Sequence, residues 1–397
     1  MIRQHSVLAP PLSTDRTSFI RTALEQRRQG NQLRTLLAVR PVDGAVVEIA
    51  GQTVINFSSN DYLGLARHPA LIEGASQYLA RYGAGATASR LVCGSYPAFA
   101  DLEARLAALK GTEASLIMNS GFQANVSLLP ALVNRDSLVL ADRLCHNSIV
   151  QGVLLSRARL YRFRHNDLDH LRQLLKLHGQ ATSRILIVTE TVFSMDGDRC
   201  DLDGLIEIAG QHGAMLMVDE AHATGALGAK GMGLACGREI DLIMGTFGKG
   251  LGSYGAYVAC SAEMREYLIN FCPGFIYSTA LPPPVLGSIA AALDLVPGME
   301  RERLHLQQLA GYLREGLQGM GLATGESTTQ IVPVILGEDQ ETLAVSQWLR
   351  EQGMLASAIR PPTVERGRAR LRLTLSCQHT KEQVDRLLRA IATRPNP

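Results

Sequence analysis

The chain has 397 residues, of which 46% are hydrophobic and 19% are charged, and its 39 basic and 37 acidic side chains leave a net charge of +2. This composition supplies a sizeable buried core and excludes disorder as the general state. The balanced charge argues against a nucleic-acid binder or a polybasic membrane protein, because both need a concentrated positive field. The length predicts one large domain with a lesser partner, or two domains of ordinary size.

Cysteine usage and the N-terminal segment bear on the cellular compartment. The seven cysteines are scattered without a C-x-x-C pair, which is typical of a reducing compartment and of neither a disulfide scaffold nor a zinc ribbon. Residues 1–18 carry charge and proline where a signal peptide needs an unbroken apolar stretch. No run approaches the roughly 18 apolar residues that span a bilayer. We therefore expect a cytoplasmic protein.

Predicted secondary structure begins with a helix and a hairpin and continues with a series of strands. Residues 18–28 form a charged helix candidate, and residues 46–55 have a hairpin-like pattern with Ala50 and Gly51 at the turn. Short runs rich in Val, Ile, Leu and Met then recur at residues 115–119, 137–140, 184–189, 214–219, 241–246 and 257–261. Their lack of polar alternation predicts strands that are buried on both faces. We therefore predict an α/β fold with a mostly parallel central sheet and flanking helices.

Helical spacing appears between some of these strands. Residues 167–178 and 203–212 have apolar residues at this spacing, and each segment opens with an aspartate suited to N-capping, Asp167 and Asp203.

The last part of the chain follows a proline run after Leu281, which stops any helix from crossing. It reads as a smaller α+β unit, with a long helical stretch from residue 285, a helix near residues 341–352, and strands at residues 331–336 and 370–376. The predicted division is an N-terminal arm of residues 1–55, a large domain of residues 56–284 and a small C-terminal domain of residues 285–397.

Polar, ionisable and small residues follow four of the predicted strands. Ligands of an open α/β sheet bind at the carboxyl ends of its strands, so these residues predict a single site. They are Ser120, Gly121 and Phe122 after the first strand, Glu190 and Ser194 after the third, Asp219 and His222 after the fourth, and Thr246 and Lys249 after the fifth.

Two other patterns are rejected as sites. Residues 250–255 match G-x-G-x-x-G, but a dinucleotide fingerprint must open a helix, and this one runs into the predicted strand at residues 257–261. A metal site is suggested by His165, Asp167, Asp169 and His170. A capped helix start explains these residues more simply, and we predict no metal.

Lys249 and Asp219 indicate the chemistry of the predicted site. A desolvated lysine with a lowered pKa is the type that forms Schiff bases, and the glycines around Lys249 let a bulky planar group approach the backbone. Asp219 lies at a different strand end and is the type of partner that a pyridinium nitrogen needs. Alone, Asp219 could equally be a helix N-cap. Together with Lys249, it favours a pyridoxal phosphate site.

The remaining candidates fit around such a ring. Gly121 and Phe122 open a helix whose exposed N–H groups can bind phosphate, and Thr246 is a second candidate for that contact. His146 alone would be a loop histidine, but beside a pyridine ring it can stack on the ring face. Arg360 precedes two prolines that rigidify it, which favours a contact with a carboxylate. Cys145 is interpreted as a bystander.

Seven ordered motifs resemble the fold-type I pyridoxal-phosphate enzymes, and within them the α-oxoamine synthases. The resemblance runs from about residue 56 to the C-terminus, and more loosely over the N-terminal helix. The motifs are NFSSNDYLGL (56–65), SGFQAN (120–125), VTETVFSMDGD (188–198), MVDEAHATG (217–225), TFGKG (246–250), IYSTALPP (276–283) and AIRPPTV (358–364). The subfamily rests mainly on the last two and on RLRLTLS (370–376).

The resemblance implies a role for each matching residue. Lys249 would hold pyridoxal 5'-phosphate covalently and act as base and acid, Asp219 would pair with the ring nitrogen, and His146 would stack on the ring. Implied cofactor contacts also include Gly121, Phe122, Glu190, Ser194, His222 and Thr246, with Ser278 and Thr279 reaching the phosphate of the neighbouring subunit. The implied substrate contacts are Arg372 for the amino-acid carboxylate, Arg34 and Thr363 for the acyl substrate, and also Asn60, His146 and Arg360.

The implied reaction is a decarboxylative condensation of L-alanine with a pimeloyl thioester in biotin biosynthesis, by a homodimer with shared active sites. The acyl carrier could be CoA or a carrier protein. The segment GAGATASRLVCG (83–94) is closer to relatives that join glycine to acetyl-CoA, which is the main alternative. An aminotransferase of the same fold and a cofactor-free structural or regulatory protein are further alternatives.

Overall fold

A computed structural model describes residues 16–179 and 182–394. Within them the strands are β1 (Arg40–Asp43), β2 (Val46–Ile49), β3 (Gln52–Asn56), β4 (Ala114–Met118), β5 (Ser137–Asp142), β6 (Arg159–Phe163), β7 (Arg184–Glu190), β8 (Met215–Asp219), β9 (Leu242–Thr246), β10 (Ala256–Cys260), β11 (Ile331–Gly337), β12 (Met354–Leu355), β13 (Ser357–Ile359) and β14 (Ala369–Thr374). The α-helices are α1 (Ser18–Gln29), α2 (Pro69–Tyr82), α3 (Pro97–Lys110), α4 (Gly121–Leu132), α5 (Asn147–Ser156), α6 (Leu168–His178), α7 (Leu202–His212), α8 (Ala262–Phe271), α9 (Pro273–Ile276), α10 (Pro283–Leu295), α11 (Glu300–Gly319), α12 (Asp339–Glu351) and α13 (Lys381–Ala392).

Of the two sequence arguments about localisation, the structure addresses only the one about membrane-spanning segments. Most of residues 1–18, which carry the argument against a signal peptide, lie outside the described residues. Among the helices in the described part of the chain, none combines the length and the apolar character needed to cross a bilayer.

A central sheet of the order β4-β10-β9-β8-β7-β5-β6 runs through the described residues. Its strands from β9 to β6 pair in parallel, whereas β10 is antiparallel to both of its neighbours. The predicted α/β fold with a mostly parallel sheet is confirmed. The edge strand β6 was not predicted, because Arg159 and Arg162 interrupt its apolar residues.

Burial on both faces explains why these strands lack polar alternation. In β5, Leu138 and Leu140 belong to one hydrophobic cluster, while Val139 and Ala141 belong to the cluster on the opposite face. Helices cover each face, so every position of the strand contacts apolar side chains.

The two predicted helix caps have different outcomes. Asp167 caps α6 as predicted, because its carboxylate accepts the N–H of His170 at 2.8 Å. The prediction of Asp203 as a cap is wrong. Helix α7 begins one residue earlier, and Asp201 accepts the N–H of Gly204 at 3.1 Å. Asp203 therefore lies in the first turn, where it forms an ion pair with Arg238.

The N-terminal hairpin is confirmed and contacts the C-terminal part of the chain. β2 and β3 pair in antiparallel fashion, with Ala50 and Gly51 at φ of 50° and 81° in the turn. β3 also pairs in parallel with β12. Ile55 and Phe57 share a buried cluster with Leu371 of β14. The arm and the tail thus pack together, which the sequence pattern did not indicate, and the domain limits at residues 55 and 284 stay a prediction.

A buried ion pair fixes the chain directly after β8. Lys110 Nζ, at the end of α3, donates to Glu220 Oε2 at 2.8 Å and to the carbonyl of Met232 at 2.5 Å. Burial is the largest single effect and lowers the pKa of Lys110, but the charge and hydrogen bond of Glu220, together with those of Tyr257, outweigh it and raise that pKa above its ordinary value. Glu220 is the neighbour of Asp219, so this pair anchors one of the predicted site residues.

The substitution Lys110→Met should lower the free energy of unfolding by about 3–5 kcal/mol, because it leaves the carboxylate of Glu220 buried without its partner. Urea denaturation provides the measurement. The matched control is Arg172→Ala, which removes an ion pair with Asp169 whose side chains are 44% and 85% exposed. We expect the control to cost less than about 1 kcal/mol. Equal losses in the two variants would contradict the structural role of Lys110.

Candidate active site

The predicted residues meet at the carboxyl edge of the central sheet. β7 and β8 pair so that Glu190 lies directly beside Asp219. Thr246 ends the neighbouring strand β9, and Lys249 lies in the turn that follows it. His146 lies between β5 and α5, where it caps the helix. Parallel pairing brings these strand ends together, which is why residues far apart in sequence form one site.

A chain of hydrogen bonds runs from Lys249 to the loop after β3. Lys249 Nζ lies 2.8 Å from His222 Nε2, and His222 Nδ1 lies 2.6 Å from the hydroxyl of Tyr62. The Tyr62 hydroxyl in turn donates to Asn60 Oδ1 at 3.2 Å. Burial, with the nearby charges of Lys249 and Arg372, lowers the pKa of His222 well below its usual range. The ring is therefore neutral, and its Nε2 accepts a hydrogen bond from the lysine amine.

The amine of Lys249 has the lowered pKa that the sequence predicts for a Schiff-base lysine. Burial is the main cause, and it outweighs the opposing charges of Asp219 and Glu190; the charge of Arg372 lowers the pKa further. The resulting pKa is about 8. A useful fraction of this amine is therefore unprotonated and nucleophilic near neutral pH.

Two carboxyl groups face this amine from adjacent strands. Asp219 is buried, and it accepts hydrogen bonds from Asn125 Nδ2 and from the N–H of Ala221, both at 2.9 Å. No α-helix begins at Asp219 in the described chain, so the alternative role as an N-cap does not apply. Burial raises the pKa of Glu190 well above its usual range, and the charge of Asp219 adds to this. Glu190 Oε1 is buried and has no hydrogen-bond partner among the described residues.

His146 and Phe122 lie together beside the amine. Their rings meet edge to face, with centroids 6.5 Å apart. Burial, reinforced by Lys249, lowers the pKa of His146 despite the opposing charge of Asp219. The imidazole of His146 is therefore uncharged near neutral pH.

The start of α4 reaches the end of β9. A Cβ on Gly121 would lie 4.0 Å from the Cβ of Thr246, and Ser120 caps the helix by accepting the N–H of Gln123 at 3.2 Å. The Thr246 hydroxyl donates to the carbonyl of Gly255 at 2.7 Å and accepts the N–H of Gly248 at 3.0 Å. Thr246 therefore orders the turn before Lys249, and the α4 N-terminus beside it suits an anion.

Arg372 is a buried cation that lacks an acidic partner among the described residues. Its Nε donates to the carbonyl of Ser194 at 2.6 Å, and both terminal nitrogens lie 3.1 Å from Asn60 Oδ1. Arg370, two positions earlier on β14, is also buried but forms an ion pair with Asp196 at 2.5 Å. A buried charge without a counter-ion is costly, so Arg372 fits a site that binds a carboxylate.

The other predicted substrate residues join the segment after α1 to the loop after β13. Arg34 Nη2 donates to the Thr363 hydroxyl at 3.1 Å. Arg360 donates to the carbonyl of Asn31. The predicted contacts of Arg34 and Thr363 with the acyl substrate, and of Arg360 with a carboxylate, stay predictions.

Ser278 and Thr279 lie beside the start of α4. The Ser278 hydroxyl accepts from the Gln123 amide, and the carbonyl of Thr279 accepts from Asn119 Nδ2 at 2.7 Å. The predicted contact of Ser278 and Thr279 with a neighbouring subunit stays a prediction.

The rejected patterns have structural explanations. Residues 250–255 lead into β10 and open no helix, as predicted. His165 lies 3.0 Å from Asp142 and 2.7 Å from Asp198. Burial lowers the pKa of His165, but hydrogen bonds to these carboxylates outweigh it and raise that pKa to about 10. Within residues 16–179 and 182–394, no cluster of His, Cys, Asp and Glu is suited to a metal ion.

Cys145 is buried, and burial raises the pKa of its thiol well above the usual range, so it is poorly suited to act as a nucleophile.

Sequence reasoning did not single out Tyr62, Asn125 and Ser148. Tyr62 and Asn125 lie inside two of the quoted motifs, NFSSNDYLGL and SGFQAN. Their place in these motifs could have marked them as site residues. Their contacts with His222 and Asp219 could not be inferred, because these contacts join elements distant in sequence.

The buried amine with a lowered pKa, the facing carboxylate and the α4 N-terminus define a fold-type I pyridoxal-phosphate enzyme. The family model of class I and II aminotransferases matches residues 52–391. A putative 8-amino-7-oxononanoate synthase of Desulfosudis oleivorans is 55% identical over 96% of this chain and 99% of its own length. The chain therefore belongs to the 8-amino-7-oxononanoate synthase family within these aminotransferase-fold proteins.

Solved structures agree with this fold. A serine palmitoyltransferase structure with a pyridoxal-phosphate internal aldimine has a TM-score of 0.89 and 26% identity, over 96% of this chain and 98% of that one. The 8-amino-7-oxononanoate synthase of Francisella tularensis has a TM-score of 0.74 and 28% identity, over 85% of this chain and 97% of that one.

The rate at which fluorodinitrobenzene arylates Lys249 in cofactor-free protein should rise with pH, reach half its maximum near pH 8 and level off above about pH 9, because this reagent reacts with the unprotonated amine. Peptide mass spectrometry gives the rate at each pH. Nα-acetyl-lysine in the same solution, with a pKa of about 10.4, is the reference, and its rate should still be rising at about pH 10. A Lys249 profile that parallels the reference would contradict the lowered pKa.

Proposed function

We propose that this chain condenses L-alanine with a pimeloyl thioester, and releases CO2, the free thiol and 8-amino-7-oxononanoate. The observation that carries the proposal is the link between the amine and the carboxylate-binding side of the site. Lys249, His222, Tyr62, Asn60 and Arg372 form one continuous series of hydrogen bonds. An amino acid held by its carboxylate at Arg372 would therefore lie in the same site as the reactive lysine. The names of the relatives give 8-amino-7-oxononanoate as the product and so support the proposed reaction.

The residues present fit pyridoxal phosphate. Its aldehyde provides a covalent attachment point, and its ring is an electron sink for charge that develops at the substrate Cα. Asp219 supplies a buried carboxylate for a protonated ring nitrogen. Beside it, Glu190 Oε1 is buried without a hydrogen-bond partner in the described chain and would be available to a polar atom of the cofactor. His146 would cover a ring face, while the helix start at Gly121 and the turn at Thr246 would bind the phosphate.

Lys249 would attach the cofactor and then move the proton at the substrate Cα. Its pKa of about 8 lies close to neutral pH, which suits a group that must act both as base and as acid. The hydrogen bond from Lys249 to His222 holds the amine in place, and Tyr62 holds the imidazole. These three side chains therefore orient the proton transfer without a solvent-exposed group.

Arg372 would bind the alanine carboxylate through its planar fork of donors. Asn60, which accepts from both terminal nitrogens, sets the orientation of the guanidinium. Because the same carboxylate later leaves as CO2, its position determines which bond to the Cα is broken.

We propose that the acyl substrate contacts Arg34, Thr363 and Arg360. These residues connect the N-terminal arm with the loop after β13. We further propose a cytoplasmic homodimer in which Ser278 and Thr279 complete the cofactor site of the neighbouring subunit. The acyl donor is a thioester of CoA or of a carrier protein.

A thiol-release assay tests the proposed reaction. Purified protein is combined with alanine, glycine or serine and with pimeloyl-, acetyl- or palmitoyl-CoA, and the products are identified by mass. We expect alanine with pimeloyl-CoA to give the fastest release and the mass of 8-amino-7-oxononanoate. Rapid turnover with glycine and acetyl-CoA alone would overturn this in favour of the other condensation. Amino-group transfer without thiol release would indicate an aminotransferase.

The substitution Arg372→Lys should raise the KM for alanine about 10- to 100-fold, because a charged, two-pronged contact contributes about 1.5–3 kcal/mol. Steady-state kinetics with alanine as the varied substrate give the value. Arg370→Lys is the matched control, since Arg370 lies on the same strand and is also buried but pairs with Asp196. An unchanged KM in Arg372→Lys, or an equal rise in both variants, would contradict the proposed carboxylate contact.

A further inference from the structure

A buried polar chain links the two residues that are proposed to contact the cofactor ring, His146 and Asp219. Asn125 Nδ2 lies 2.9 Å from Asp219 Oδ2 and 3.0 Å from the hydroxyl of Ser148. The same hydroxyl lies 2.7 Å from His146 Nδ1. Asn125 is 1% exposed and Ser148 is fully buried, so water cannot substitute for either contact. The chain joins α4, α5 and the end of β8.

The chemistry of Asn125 fixes the direction of these bonds. An ionised carboxylate only accepts hydrogen bonds, so the amide must present its nitrogen to Asp219. The second N–H of the same nitrogen points to the Ser148 hydroxyl, while Asn125 Oδ1 is buried without a partner among the described residues. The reversed amide would place two acceptors 2.9 Å apart. Asn125 therefore acts as a double donor.

The direction of the bond from Asn125 also fixes the direction of the bond between Ser148 and His146. Its oxygen accepts from Asn125, which leaves its own O–H to donate to His146 Nδ1. The backbone N–H of Ser148 also points to Nδ1, at 3.3 Å. Two donors aimed at Nδ1 require a lone pair on that nitrogen, so the ring proton lies on Nε2.

We propose that Asn125 is a positioning residue that fixes two protonation states at once, the ionised form of Asp219 and the neutral, Nε2-protonated form of His146. This inference rests on the proposed function, because it assumes a cationic cofactor ring between the two side chains. An ionised Asp219 holds the proton on the ring nitrogen, and a neutral His146 covers the ring without adding a second positive charge. The charged and titratable groups around this cluster are Lys249, Glu190, His222, Arg372 and the buried thiol of Cys145.

The lowered pKa of His146 agrees with this arrangement, since burial and the charge of Lys249 disfavour its cationic form. The position of Asn125 adds what burial cannot provide. Desolvation makes the imidazole neutral, but it does not select which nitrogen carries the proton.

Three variants of the holoenzyme test the proposal. Asn125→Ala removes both bonds, and Ser148→Ala removes only the link to His146. Ser127→Ala is the control, because Ser127 lies on the same helix and its hydroxyl bonds the carbonyl of Gln123 at 2.5 Å, away from Asp219. The readouts are the dissociation constant for pyridoxal phosphate, the pH midpoint of the visible cofactor band, and the 15N spectrum of histidine-labelled protein, with the His146 signal identified by its loss in His146→Asn.

In Asn125→Ala we expect about tenfold weaker cofactor binding, since an ionised acceptor loses a charge-assisted hydrogen bond. The midpoint of the visible band should rise by about one pH unit, because a less stabilised Asp219 leaves the ring nitrogen less positive and the Schiff-base proton easier to retain. Ser148→Ala should keep cofactor affinity within about twofold and alter the Nδ1 signal of His146. Ser127→Ala should change none of these values.

Two results would overturn the proposal. One is a fall in the melting temperature of Asn125→Ala without any change in cofactor affinity or band midpoint, which is the behaviour of a purely structural residue. The other is a wild-type His146 protonated at Nδ1, a result that does not depend on the folding of Asn125→Ala. These readouts use no substrate. A failed thiol-release assay with the expected shifts would therefore reject the proposed reaction but keep the role of Asn125.

Discussion

The site depends on one electrostatic balance, a lysine amine buried opposite two carboxyl groups at the ends of neighbouring strands. Desolvation lowers the pKa of Lys249 to about 8, and the charges of Asp219 and Glu190 keep it from falling further. Such a balance requires a rigid site, because the energy of close charges in a poorly solvated region changes steeply with distance. The Lys110–Glu220 ion pair and the buried amide of Asn125 hold the carboxylate side in place. His222 holds the amine.

Much of this site could be predicted from sequence, because parallel strands bring their carboxyl ends together whatever the length of chain between them. Lys249 and Asp219 are thirty positions apart, yet each directly follows or ends a buried strand. Asn125 could not be found this way, since a buried asparagine and a surface asparagine on a helix have the same sequence signature. The cap of α7 shows a similar limit. Two aspartates flank the buried Leu202, and the sequence pattern does not tell which of them caps the helix; in the structure it is Asp201.

The arginines of β14 show why net charge says little about a site. Arg370 and Arg372 lie two residues apart on one strand, so they share a face and are both buried. Their positions in the sequence RLRLTLS give no basis for assigning them different roles. The ion pair of Arg370 with Asp196, and the neutral contacts of Arg372 with Asn60 and Ser194, separate a structural cation from one suited to a ligand. The net charge of +2 therefore gives no indication of the buried positive charge of Arg372, which is suited to binding a carboxylate.

The central claim is that Lys249 is the residue that binds the cofactor, and reduction with sodium borohydride tests it most directly. Reduction converts a Schiff base between lysine and pyridoxal phosphate into a stable secondary amine, which survives digestion and is located by peptide mass spectrometry. We expect a phosphopyridoxyl group on Lys249 at close to one per chain. Stoichiometric labelling of a different lysine, or holoenzyme with a visible cofactor band and no label on Lys249, would contradict it.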